Sequence, residues 1–66
     1  MEIAEVIRKA RDERNLTDAE LSRRTGIEYQ RLNCSLKGER GITAPEFVSL
    51  CKELDLGIDD FMEDAS

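Results

Sequence analysis

Apolar residues recur at three- and four-residue spacing along this 66-residue chain and form no regular strand pattern, so its pattern predicts helices. Ile3, Val6, Ile7 and Ala10 mark one face of a first helix, while Glu5, Arg8, Lys9, Asp12 and Glu13 lie largely elsewhere. Asn15 is suited to end it, because Asn tolerates the left-handed conformation of a helix C-cap. Near the other end, Phe47, Leu50, Cys51 and Leu54 fall at i, i+3, i+4 and i+7 and build one buried stripe. Thr43-Ala44-Pro45-Glu46 opens that helix as a capping box, with Pro45 in a first turn where its missing N–H would be unpaired anyway. Gly57 is expected to stop it. Ile58 to Met62 should add a final short helix, with Asp59 and Asp60 near its positive end and Phe61 turned inward.

The middle of the chain carries two shorter segments. Thr17-Asp18-Ala19-Glu20 is a second capping box, so a helix should start at Asp18. It runs only about two turns, because Gly26 offers the positive φ that lets a backbone leave a helix and turn sharply. From Glu28 to Leu36 there is no Gly or Pro, a carboxylate stands at the positive end, and Leu32 and Leu36 are one turn apart. That second helix should end near Gly38, and Lys37 to Ile42 should form a loop. Two short helices about a glycine turn make a helix-turn-helix, and with no strand pattern, repeat or linker the economical architecture is all-α.

Leu16, Glu20, Leu21, Gly26, Ile27, Leu32 and Gly38 stand at the characteristic positions of the Cro and phage-repressor-like helix-turn-helix family, which the chain resembles from about Ile3 to Phe61. The resemblance implies a compact four- to five-helix bundle of lambda-repressor-like form. Its third helix would enter the major groove of double-stranded DNA at an operator, usually as a homodimer on a two-fold site. It also implies base contacts from Tyr29, Gln30, Asn33 and Cys34. Gln30 and Asn33 suit that task, since each carries a donor and an acceptor on one amide, the arrangement that matches adenine N6 and N7. Tyr29 has two readings: contact with a thymine methyl or a phosphate, or packing on Leu32 three residues ahead.

Arg31, Lys37 and Arg40 bracket the recognition helix and its following loop and are the natural phosphate contacts, with Arg23 and Arg24 as additions; a solvated surface is the alternative for each. Backbone amides near Thr17 and Asp18, at a helix N-terminus, are also suited to a phosphate. Three departures from the family pattern bear on this. Asp18 stands where members often have a Gln that bonds a phosphate, and Glu28 where a small hydroxyl or amide is usual. Either carboxylate would repel the DNA backbone or serve its own helix dipole, and Glu28 is also able to accept from cytosine N4. The family's apolar–Glu pair at the end of the recognition helix is Ser35 and Leu36 here, so Arg11 lacks its usual partner, leaving Glu39 or a phosphate for it.

The net charge of -5 argues against nucleic acid, but its distribution softens the objection. Residues 1–40 hold nine Lys or Arg against eight Asp or Glu, net +1, and 41–66 hold one against seven, net -6. A weakly basic reading half and an acidic remote half allow docking in one orientation with modest affinity. The same acidity supports an alternative, a protein-interaction module that presents Glu53 to Asp64 to a basic partner.

The length fits one domain over 1–66, whose small core makes help from a partner subunit plausible, with Phe61 and Met62 as candidate contacts. No apolar run approaches a membrane span and the N-terminus lacks a secretory pattern, so a cytoplasmic location is expected, without membrane contact. There is no His, the two cysteines have no zinc spacing, and no nucleophile, metal or cofactor motif is recognisable, so neither an enzyme nor a metal or cofactor protein is expected. Cys51 reads as core. Cys34, on the predicted exposed face, has only Arg31 nearby to lower its thiol pKa.

Overall fold

Thr17 Oγ1 accepts the Glu20 amide at 3.1 Å while Glu20 Oε1 accepts the Thr17 amide at 3.0 Å, and this reciprocal box launches the helix that anchors the rest. The computed structural model describes residues 2–62. Among them are four α-helices: α1 (Ile3–Glu13), α2 (Asp18–Thr25), α3 (Tyr29–Leu36) and α4 (Ala44–Leu54), followed by a 3₁₀ turn at Ile58–Phe61. No strand occurs among the described residues.

The chain leaves α1 through Asn15, at φ 56°, and Leu16 N–H returns to the Arg11 carbonyl at 3.0 Å. On α1, Ala4, Val6, Ile7 and Ala10 are buried, but Ile3 is 43% exposed. Ile3 is the first residue of the helix, where fewer neighbours cover it, and Ala4 is buried in addition to the expected face. Gly26 closes α2 at φ 79°, its N–H bonded to Ser22 O. The next helix starts one residue later than the pattern suggests: Glu28 is its N-cap, with ψ 138°, and its side chain caps nothing.

Leu21, Leu32, Leu36, Leu50 and Leu54 are each at most 1% exposed and, with Ile7, form the centre of the core. Burying side chains of this kind contributes about 1.5–3 kcal/mol each before ordering costs. α2 packs on both α3 and α4, and α1 packs on the same two helices. The inner side of α3 is therefore held in the core by Leu32 and Leu36.

A second reciprocal box opens α4, Thr43 N–H to Glu46 Oε1 at 3.1 Å and Glu46 N–H to Thr43 Oγ1 at 3.4 Å. Its end differs from expectation. Asp55, at φ 56°, terminates the helix, and Leu56 N–H reaches the Cys51 carbonyl at 2.8 Å. Aspartate is among the few non-glycine residues that enter the left-handed region readily, so the exit comes two residues before Gly57. Gly57 instead opens the 3₁₀ turn at φ -111°, donating its N–H to Asp60 Oδ2 at 2.7 Å. That turn carries Phe61 onto the core, against Phe47 with ring centroids 4.8 Å apart. Of the expected α4 stripe, Leu50 and Leu54 are buried, whereas Phe47 and Cys51 are half-buried. Among the described residues no helix is long and apolar enough to cross a membrane.

Candidate nucleic-acid interface

The sequence of α3 divides into two sides. Leu32, Ser35 and Leu36 are buried, and Ser35 is held by a hydrogen bond from Arg40 to its hydroxyl. Arg8 donates to the Leu36 carbonyl, tying the end of α3 to α1. On the other side Tyr29 is 52% exposed, Gln30 and Arg31 are exposed, and Asn33 and Cys34 are half-buried. This outward side is an eight-residue helix about 12 Å long, of a size that enters a major groove about 12 Å wide. Thr17 is exposed beside it, at the start of α2, and its hydroxyl is engaged in the cap.

The expected contacts fall into three groups. Tyr29, Gln30 and Lys37 are exposed and have no ion pair or side-chain hydrogen bond among the described residues. Arg31 and Arg40 are not independent of the protein: Arg31 Nε lies 3.5 Å from Glu46 Oε2 and Arg40 Nη1 3.3 Å from Glu46 Oε1. Asn33 is engaged as well, its Nδ2 donating to Asp18 Oδ2 at 3.0 Å. Arg24 meets Glu53 at 3.5 Å, and Arg23 is exposed.

Two sequence departures find a physical explanation here. Asp18 Oδ1 accepts from Arg11 Nη1 at 2.6 Å, so Arg11 pairs with Asp18 and with Asp12, and neither pairs with Glu39 nor stays free for a phosphate, the two alternatives the sequence offered. α2 brings Asp18 against the last turn of α1, which is why the nearer acid wins. The Asp18 carboxylate thus has a cationic partner within the domain, one that it shares with Asp12. Burial works against the charge on Arg11, but its bonds to Asp12 and Asp18 outweigh this and raise its pKa from the ordinary value.

Glu46 was legible as a cap residue; its second task, gathering Arg31 and Arg40, was not. The Thr43 amide, opposed by burial and assisted by Arg40, holds its carboxyl below the usual range. Glu20 is lowered chiefly by the Thr17 amide. Both cysteines are free and half-buried, so Cys51 is less enclosed than its place in the stripe suggested; burial, with Asp60 beside it, raises its thiol pKa. No cluster of potential metal ligands occurs among the described residues.

A capped helix, a left-handed glycine and a second helix with one side anchored and the other open define a helix-turn-helix domain. Its membership is specific: the chain matches the Cro/C1-type HTH DNA-binding domain over residues 6–65, and belongs to that family. No curated protein and no solved structure matches it. It is thus a DNA-binding domain of the regulator type.

Proposed function

We propose that this domain is a sequence-specific transcriptional regulator, acting as a repressor by occupying an operator, with α3 in the major groove. The observation that carries the reading is the two-sided burial of α3: Leu32 and Leu36 are sealed in the core while Tyr29 and Gln30 stand exposed at its leading end. Gln30 and Asn33, one turn apart, read base edges, with Tyr29 and Cys34 flanking them. Lys37, Arg31 and Arg40, with the amide end of α2 at Thr17, fix the register on phosphates. Two copies bind together, so that two recognition helices about 34–36 Å apart meet successive major grooves. Met62, 60% exposed, and half-buried Phe61 are suited to the contact between them.

Selection of bound duplexes from a random pool tests this. The expected result is a two-fold symmetric consensus with half-sites about one helical turn apart. Recovery of no preferred sequence would reject specific recognition.

One observation favours a second reading, a protein-interaction module. Asp55, Asp59 and Asp60 are exposed at the end of the domain, in the half whose net charge is -6. Glu63 and Asp64, which would extend that surface, lie outside the described residues. This reading predicts no duplex binding even at low salt, whereas the first predicts an affinity whose log-log salt slope is about -0.9 per neutralised phosphate.

A further inference from the structure

The side chains of Arg11, Asp18 and Asn33 form a chain of contacts that joins α1, α2 and the outward side of α3. Arg11 Nη1 lies 2.6 Å from Asp18 Oδ1, and Asn33 Nδ2 lies 3.0 Å from Asp18 Oδ2. Each carboxylate oxygen therefore has one partner on a different helix. Arg11 and Asp18 are only 19% and 16% exposed at their side chains, so the pair forms a firm support rather than a mobile surface contact.

The chemistry of this support dictates which way the Asn33 amide faces. An ionised carboxylate only accepts hydrogen bonds, so Asp18 requires the nitrogen of the carboxamide and excludes the flipped arrangement, in which two oxygens would face each other. Asn33 is left with its Oδ1 and one N–H. Among the described residues Oδ1 has no protein partner, and no buried side-chain polar atom is unpaired, so Oδ1 is open to solvent. An outward acceptor with one donor on the same amide is complementary to adenine, whose N6 donates and whose N7 accepts in the major groove.

Resting on the DNA-reading role proposed above, we infer that Asp18 is a specificity-determining positioning residue: held by Arg11, it locks the Asn33 carboxamide in the one orientation that selects adenine at a single base pair of each half-site. Asp18 itself touches no base. It acts by removing the alternative rotamer, in which Asn33 would present its nitrogen outward and favour an acceptor such as guanine O6 or thymine O4.

Asp18→Asn is the discriminating variant, because the carboxamide it introduces is nearly isosteric with the carboxylate yet both donates and accepts, freeing Asn33 to turn over. Duplexes are selected from one random pool by the unaltered domain, Asp18→Asn, Asn33→Ala and the double variant, with melting temperatures recorded in parallel. The expected profile has an adenine preference of about tenfold at one position for the unaltered domain. Asp18→Asn should collapse that preference towards unity while leaving the positions read by Gln30 intact. Asn33→Ala should flatten the same position, and the double variant should flatten it no further. A lowered melting temperature alone would reduce binding to all sequences and would not move one position. An unchanged profile for Asp18→Asn, or an equal flattening of every position, overturns the inference. If the unaltered domain enriches no sequence, the DNA-reading role itself fails, which is a different result.

Discussion

Arg40 Nη1 lies 3.3 Å from Glu46 Oε1, so a cation expected at a phosphate is also a strut between the loop after α3 and the cap of α4. Lys37, one turn of chain earlier, has no such partner among the described residues. The two should therefore behave differently when removed. Lys37→Ala should weaken specific and random duplexes alike, reduce the log-log salt slope by about 0.9, and leave the melting temperature unchanged. Arg40→Ala should weaken all duplexes too, but it also strips Ser35 and Glu46 of a partner and should cost about 1 kcal/mol of stability. Salt titrations and thermal melts of both variants separate the two roles; equal melting temperatures would deny Arg40 its structural one.

The capping carboxylates make stability pH-dependent. Glu46 and Glu20 both titrate below their ordinary value of 4.5 in the folded domain. A group whose folded pKa is depressed contributes stability that is present above its unfolded pKa and lost as pH falls through the folded one. Melting temperature should accordingly hold near neutrality and drop below about pH 4.5. Glu46→Gln, which still accepts the Thr43 amide but does not titrate, should melt lower at neutral pH and show a shallower acid decline. An identical decline would place the acid sensitivity elsewhere.

Gly26 sits at φ 79°, and a Cβ built there meets nothing within 4 Å. Substitution is thus a test of backbone conformation without a clash. Gly26→Ala should cost about 1–2 kcal/mol, or roughly 4–8 °C in melting temperature per kcal/mol for a domain of this size. Gly26→Asn should cost less, since Asn enters this region more readily. Equal losses would point to something other than φ.

Gln30 is exposed and makes no side-chain hydrogen bond among the described residues, so its removal should be silent in a thermal melt. Gln30→Ala should relax base preference at one or two positions by about 1–3 kcal/mol while sparing affinity for random DNA. Equal losses on specific and random duplexes would remove it from the readout.

The parts of this structure legible in the sequence are those set by neighbours three or four residues away. Thr17 with Glu20 and Thr43 with Glu46 announce their helices because a capping box is a local hydrogen-bond circuit, and Gly26 announces its turn because few other residues accept its φ. The end of α4 was misplaced because Asp55 and Gly57 both suit a left-handed exit, and only the observed φ of 56° at Asp55 decides between them. On α3, the outward place of Gln30 is expected from the family resemblance, whereas the sequence leaves Tyr29 open between contact and packing on Leu32, and its 52% exposure is known only from the fold. The links from Asp18 to Asn33 and from Glu46 to Arg31 were not legible, since each spans fifteen residues and exists only once α2, α3 and α4 are packed. Linear spacing carries no signal for such pairs.

Whether the outward side of α3 meets DNA is tested most directly by amide chemical shifts of the isotope-labelled domain, followed by NMR as a duplex is added at low salt. Perturbations should concentrate at residues 28–34, with weaker ones at Thr17, Asp18 and Lys37, and should fade as salt is raised. Shifts confined to the acidic end, around residues 53–62, with 28–34 unmoved, would contradict the assignment of α3 as the recognition element.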